Sequence, residues 1–364
     1  MTKKKWDGAA GVAIAAVWLV LAVWAWLRAP DTISYTERRE LQQVPAVEAQ
    51  RLLDGKFMSE FEDYAMDQFP WRDGFRQVKA RFAYDVLGQK DNHGICMTQG
   101  HAFQLEYPLN EDSVEHACSV FRKIWEKNLQ ESRVFAAVVP DKAYYFAPEQ
   151  GYPVMDYEKL FQKMKTEMPY AQFVDLTDCL TGEDYYRTDT HWRQERLTQV
   201  TKKLGAAIGV SFDAQYQPRE AENPFYGVYY GQAALPMEPD RLYTLHNDLL
   251  DGCKVYNYET NQYGGIYDWE KLSGKDPYET FLSGPVSLLR IENPQAQTDQ
   301  ELIVFRDSFG SSLAPLLAQG YKTVTLVDVR YISGSMLSRF LDFHGQDVLF
   351  LYSTLVLNNS AMLK

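Results

Sequence analysis

The chain has 364 residues, of which 24% are charged and 14% aromatic, and a formal net charge of −12. That is enough apolar material for one large domain plus an appendage, or two modest domains, and it excludes global disorder. The acidic balance, with no basic block beyond the extreme N-terminus, argues against a nucleic-acid partner and a broad basic membrane-binding surface.

Lys3, Lys4 and Lys5 precede an uncharged run from Gly8 to Leu27. At about 1.5 Å of helical rise per residue, such a run covers roughly 30 Å, the thickness of a bilayer core. The expectation is a single-pass plasma-membrane anchor over residues 8–28. The lysine-bearing tail, residues 1–7, would stay cytoplasmic under the positive-inside rule, and everything after Arg28 would be extracytoplasmic. A cleaved signal peptide is the competing reading. The run exceeds the usual signal core of about 7–15 residues. Trp24, Trp26 and Arg28 also crowd the place where a cleavage site would stand.

Residues 29–90 read as a stalk and a helical collar. Phe57, Phe61 and Tyr64 recur at helical spacing, and Pro70 closes that segment because proline disfavours helix in the residue before it. Phe75, Val78, Phe82 and Val86 form a second such stripe, and both stripes are expected to pack helix against core.

Residues 91–364 read as one α/β domain. A short hairpin is expected around Ile95 and Phe103, a helix over 114–129, and a strand over 134–139 covered on both faces. A helix over 157–168, a short strand at 173–176 and a helix over 195–208 follow. Residues from about 210 to 300 form an irregular insertion, rich in tyrosine and glycine, whose aromatics suit either hairpin packing or stacking on sugar rings. Strands at 302–305, 323–327 and 348–352, with helices at 311–318 and 336–341 between them, imply parallel βαβ units. Cys96, Cys118, Cys179 and Cys253 are widely spaced, without a CxxC, and fit a disulfide or two as well as buried thiols.

Two places carry chemistry. In Asp189-Thr190-His191-Trp192 a carboxylate stands two residues before an imidazole, so in an extended loop both point the same way. Ser308 stands where the strand over 302–305 gives way to a helix. In open α/β sheets catalytic groups collect there, and helix-start N–H groups can hold an oxyanion. Serine needs a base to take its proton. Of six histidines only His191 has both a carboxylate at fixed short range and a following tryptophan to wall it in. The plainer readings are that Ser308 caps a helix and that Asp189 and His191 form a surface pair or half a metal site. Metal is disfavoured, because no further ligand cluster stands nearby at the right spacing, and no cofactor is implied.

These residues, with Asp67-Gln68-Phe69-Pro70-Trp71-Arg72-Asp73, Val139-Pro140-Asp141-Lys142, Phe225-Tyr226-Gly227 and Asp328-Val329-Arg330-Tyr331, resemble the DHHW proteins. That family is related to the alginate O-acetyltransferases that carry an SGNH-hydrolase-like domain. The resemblance implies a flavodoxin-like three-layer domain with a mainly parallel sheet, and a triad of Ser308, His191 and Asp189. Thr190 stands where the family name has its second letter, and Arg306 where glycine often precedes Asp-Ser. The Ser308 N–H is the expected first oxyanion donor, with Arg306, Arg330 and Tyr331 as candidates to supplement it or contact substrate. The implied activity is O-acetylation of a cell-surface or secreted polysaccharide through an acyl-enzyme, with acetyl groups delivered by a separate membrane-bound O-acyltransferase. An acetylesterase using the same residues, or a non-catalytic polysaccharide-binding or assembly protein, are the alternatives.

Overall fold

The computed structural model describes the backbone of residues 3–364 and the side chains of Ala9 and of residues 11–364. The chain divides into two compact units, Met1–Asn92 with Gly231–Pro236, and His93–Tyr230 with Met237–Lys364.

The second unit is built on an eight-stranded sheet. In chain order its strands are β1 (Val134–Val139), β2 (Gln172–Val174), β3 (Lys254–Asn257), β4 (Gln262–Gly264), β5 (Leu288–Glu292), β6 (Glu301–Arg306), β7 (Thr323–Val327) and β8 (Asp347–Ser353). Their spatial order is β4-β3-β5-β7-β6-β8-β1-β2. The run from β7 to β2 is parallel throughout, and β5, β3 and β4 are added antiparallel at the β7 edge.

Helices α1 (Glu111–Asn128), α2 (Tyr157–Glu167) and α5 (Thr354–Asn358) lie against one face, and α3 (Thr198–Ile208) and α4 (Gly310–Leu317) against the other. The alternation within each strand decides which face a side chain serves. Val134, Ala136, Ile303 and Phe305 join the α1–α2 core, whereas Phe135, Ala137, Leu302 and Val304 join the α3–α4 core. Both faces are covered, which is why these strands read as continuous apolar runs. Asn110 starts α1 by accepting the Ser113 N–H (3.1 Å), and Asp156 starts α2 by accepting the Lys159 N–H (3.0 Å).

The tyrosine-rich stretch expected to be an irregular insertion supplies β3, β4 and β5, together with a separate antiparallel ribbon, Gln217–Glu220 with Tyr243–His246. Its strands are short and rich in polar residues, so their place in the sheet rests on cross-strand pairing that no local apolar run announces.

In the first unit the helices are Lys3–Leu27, Ala49–Leu53, Lys56–Asp67 and Arg72–Arg81. Charged side chains tie this unit together: Arg39 grips Asp67 through two bonds (2.8 and 2.5 Å), and Glu37 pairs with Arg72 and Arg76.

Two expectations fail here. The stripe of Phe75, Val78, Phe82 and Val86 is exposed instead of packed, because the face that is buried is the one carrying Ala80 and Ala83. The expected membrane anchor is not supported either. Among the described residues no helix is long and apolar enough to cross a membrane. The placement of the main domain outside a plasma membrane, which rested on that anchor, goes with it. Residues 1 and 2 of the expected cytoplasmic tail lie outside the described residues. All four cysteines are free thiols.

Candidate active site

Ser308 lies in the turn between β6 and α4, at the C-terminal edge of the parallel strands. Asp307, fully buried, shapes that turn: one carboxylate oxygen accepts the Phe309 N–H (3.0 Å) and the other accepts the Ser353 N–H at the end of β8 (2.8 Å). Gly310 is required by contact, since a Cβ there would fall 2.6 Å from the Arg306 Cβ. The plain reading of Ser308 as a helix cap does not describe what its side chain does. No side-chain cap bond starts α4, and the Ser308 Oγ faces His191 instead.

Asp189 and His191 sit in a tight loop clasped by the Tyr186 N–H to His191 carbonyl bond (3.0 Å) and the Arg193 N–H to Asp184 carbonyl bond (2.8 Å). The loop is a turn, not an extended strand, and the His191 N–H itself donates to Asp189 Oδ1 (3.1 Å). Asp189 Oδ1 is 2.6 Å from His191 Nδ1, and His191 Nε2 is 2.8 Å from Ser308 Oγ. With Nδ1–H donating to the carboxylate, Nε2 is left as the acceptor for the serine hydroxyl. Carboxylate, imidazole and hydroxyl thus stand in one hydrogen-bonded line across 117 residues of sequence separation.

The surroundings hold that line still. The His191 ring stacks flat on Tyr278, with centroids 3.8 Å apart and planes at 7°. The Tyr278 hydroxyl is 2.8 Å from Ser312 Oγ in α4, and burial pushes the phenol well above its ordinary range, so it stays neutral. Trp192 is fully buried and donates from Nε1 to the Phe309 carbonyl (3.1 Å) and Ser312 Oγ (2.9 Å). That indole ties the histidine loop to the start of the serine's helix.

On the other side, the Val228 N–H donates to Asp189 Oδ2 (2.8 Å) and the Gly227 N–H to Thr188 Oγ1 (2.8 Å). Gly227 lies so close that a Cβ would come within 2.3 Å of the Thr188 backbone. Asp240 accepts from the Arg187 N–H (2.8 Å), the Thr188 N–H (2.7 Å) and the Thr188 hydroxyl (2.6 Å).

Beneath the loop lies Lys142, which is fully buried. Its Nζ donates to the carbonyls of Ala102, Tyr186 (2.7 Å), Arg187 (3.0 Å) and Asp189 (3.2 Å). Burial pulls the ammonium down from 10.5 to about 7, against the attraction of Asp240, Asp189 and Glu183. Between those values the unfolded chain binds more protons than the folded one, so this group's contribution to stability rises with pH. Lys142→Met removes the donor shared by four carbonyls, of which that of Arg187 keeps another in the Ala102 N–H, and is expected to cost about 2–4 kcal/mol. Urea unfolding from about pH 7 to about pH 9 should show its deficit against wild type widening. A deficit below about 1 kcal/mol would remove the lysine from this role.

Arg306, Arg330 and Tyr331 are not brought to the serine. Arg306 is buried and hydrogen-bonds Ser311 Oγ (3.1 Å), while its other amino group reaches the carbonyl of Val286 (3.4 Å). Arg330 grips Asp328 through two bonds (2.8 and 2.6 Å), and Tyr331 is exposed. Both arginines hydrogen-bond within the scaffold, and among the described residues no hydrogen bond joins either to Ser308. The Ser308 N–H, in contrast, has no acceptor among the described residues. Among those residues no group of histidine, cysteine and carboxylate side chains could hold a metal ion.

Sequence reasoning missed Lys142, Asp240, Tyr278 and the Gly227–Val228 amides as supports. Lys142 alone had a signal, since it follows a buried parallel strand at the edge where such sites form.

Residues 157–327 match the family described as DHHW protein. Over that span the chain is similar to the DHHW family. The fold is also that of solved structures. A DHHW family protein from Eubacterium siraeum is 20% identical with a TM-score of 0.60, over 73% of this chain and 93% of that one. Bacillus cereus PatB1 with a sulfonyl adduct is 17% identical with a TM-score of 0.57, over 72% of this chain and 95% of that one. PatB1 without the adduct gives a TM-score of 0.55 at 16% identity, over 72% of this chain and 96% of that one. At these identities the likeness concerns the fold. No curated protein sequence matches the chain.

Proposed function

We propose that this protein is a serine-dependent O-acetyltransferase acting on a polysaccharide, on an SGNH-hydrolase-like domain. The observation that carries the reading is the Asp189–His191–Ser308 line, with contacts of 2.6 and 2.8 Å, at a strand-to-helix corner. Ser308 Oγ attacks the carbonyl carbon of an acetyl ester while His191 Nε2 takes its proton. The Ser308 N–H lies free to face the developing oxyanion. The tetrahedral intermediate collapses to acetyl-Ser308, and His191 returns the proton to the departing alcohol. A sugar hydroxyl then attacks the acyl-enzyme with His191 again as base, and the acetylated sugar leaves as Ser308 regains its proton. Asp189 holds the imidazole tautomer and stabilises the imidazolium at each stage. In this reading the acetyl donor is supplied by a separate membrane-bound O-acyltransferase.

The test is to incubate the full chain with a chromogenic acetyl ester, with and without soluble glycans, and to map acetyl groups by mass spectrometry. Acetyl on Ser308, chased onto glycan when glycan is added, is the expected result. Turnover that ignores glycan makes the protein an acetylesterase. No turnover and no acetyl-Ser308 under either condition overturns the reading.

A further inference from the structure

A cavity of about 330 Å³ opens between the segments 220–225, 269–273 and Pro277. That is at the low end of the roughly 300–1,000 Å³ typical of small-ligand sites, room for a sugar ring with its substituents. One wall is Trp269, which is 51% exposed. Its indole is held from behind by a parallel stack on His246 (6.0 Å, 9°). His246 is itself fixed between Asp251 (2.7 Å from Nδ1) and Thr244 (3.0 Å from Nε2). An aromatic face held in place costs little entropy when a ligand stacks on it. Around it the side chains of Glu222, Asn223 and Ser273 have no partner among the described residues, so their polar atoms are available to hydroxyl groups.

The same segments run straight into the Ser–His site. Pro277 lines the cavity, and the next residue, Tyr278, stacks on His191. Phe225 lines it too, and the backbone three residues on, at Val228, donates to Asp189. At about 3.8 Å between successive Cα atoms, a ring in the cavity sits within a few residues' length of the reacting groups.

Charge narrows the ligand. The lining includes two carboxylates, Glu220 and Glu222, and no lysine, arginine or histidine. Glu220 is engaged by Arg241 and by the Tyr243 hydroxyl (2.7 Å), which leaves Glu222 as the uncompensated charge. A uronate would set its carboxylate against that charge.

We propose that this cavity is a glycan subsite that takes a neutral or amino-substituted pyranose and rejects uronic acids. Calling it the acceptor subsite rests on the acetyl-transfer reading; the binding itself does not. The experiment measures calorimetric binding of cellopentaose, the glucosamine pentamer and the guluronate pentamer to full-length Ser308→Ala protein, in which the chemistry is silent. Cellopentaose or the glucosamine pentamer should bind at least tenfold tighter than guluronate. Trp269→Ala and Asn223→Ala should each weaken the favoured sugar, the former by tenfold or more, and Glu222→Gln should narrow the discrimination against guluronate. Equal or tighter guluronate binding, no binding of any pentamer, or unchanged affinity in both alanine variants overturns the proposal. Turnover of a small acetyl ester by the wild type reads the Ser308 chemistry separately. An active serine beside a silent cavity, or the converse, is therefore distinguishable.

Discussion

Ser308→Ala is expected to lower acetyl-ester turnover by about 10⁴–10⁶-fold while the protein stays folded. The hydroxyl bonds His191 Nε2, and Ser308 is only partly buried, so little stability rides on it. His191→Ala should cost about as much, and the double substitution little more than either alone, because nucleophile and base act as one unit. Measuring kcat/KM for wild type, both single variants and the double variant makes the check. Losses under about tenfold, or losses that multiply, would sink the assignment of these two residues to one proton-transfer step.

Asp189→Asn comes next, with an expected loss of about 10⁴-fold in kcat. Asp189 accepts three N–H groups, from the His191 ring, the His191 backbone and the Val228 backbone. An asparagine cannot satisfy all three, since one end of its amide is itself a donor. If the amide NH₂ faces His191 Nδ1, the imidazole is forced into the tautomer with its proton on Nε2, where it cannot accept from Ser308. If the NH₂ faces Val228, a buried amide loses its acceptor at a cost of about 1–3 kcal/mol. The two outcomes separate cleanly: the first lowers kcat and, because the His191 N–H shares Oδ1, the melting temperature too, whereas the second keeps the tautomer and mainly lowers the melting temperature. An asparagine variant within tenfold of wild type and with an unchanged melting temperature would mean that Asp189 is not the group orienting His191.

Much of the scaffold was legible because its signals are local. Val134–Val139 has only apolar residues, and the segments 301–306, 323–327 and 347–353 alternate with helical patterns of the right length for parallel crossovers. Burial on both faces writes itself into such runs. The Asp189–His191 pair and the Ser308 corner were legible for a similar reason. Two residues in one turn, or a serine after an apolar run, leave a short-range mark.

The parts that were not legible depend on what packs against what. Phe75, Val78, Phe82 and Val86 have the spacing of a core face, yet Ala80 and Ala83 are the residues buried, since periodicity cannot say which face finds a partner. Arg306, Arg330 and Tyr331 stand close to Asp307–Ser308 or Asp328 in sequence, but scaffold carboxylates, hydroxyls and carbonyls occupy the two guanidinium groups. The uncharged run before Arg28 has the composition of an anchor, but the described helix is not long and apolar enough to cross a membrane.

By itself, then, the sequence determined the alternating α/β architecture and singled out the carboxylate, imidazole and hydroxyl of the candidate site. Those follow from residue type and short-range periodicity. Only the tertiary structure decided that the three groups meet, that Lys142 secures the loop by three of its carbonyls, and that Tyr278 backs the imidazole. Each of those contacts joins residues tens to more than a hundred positions apart. Hydrogen-bond geometry across such separations is set by how helices and strands pack, and no local pattern encodes it.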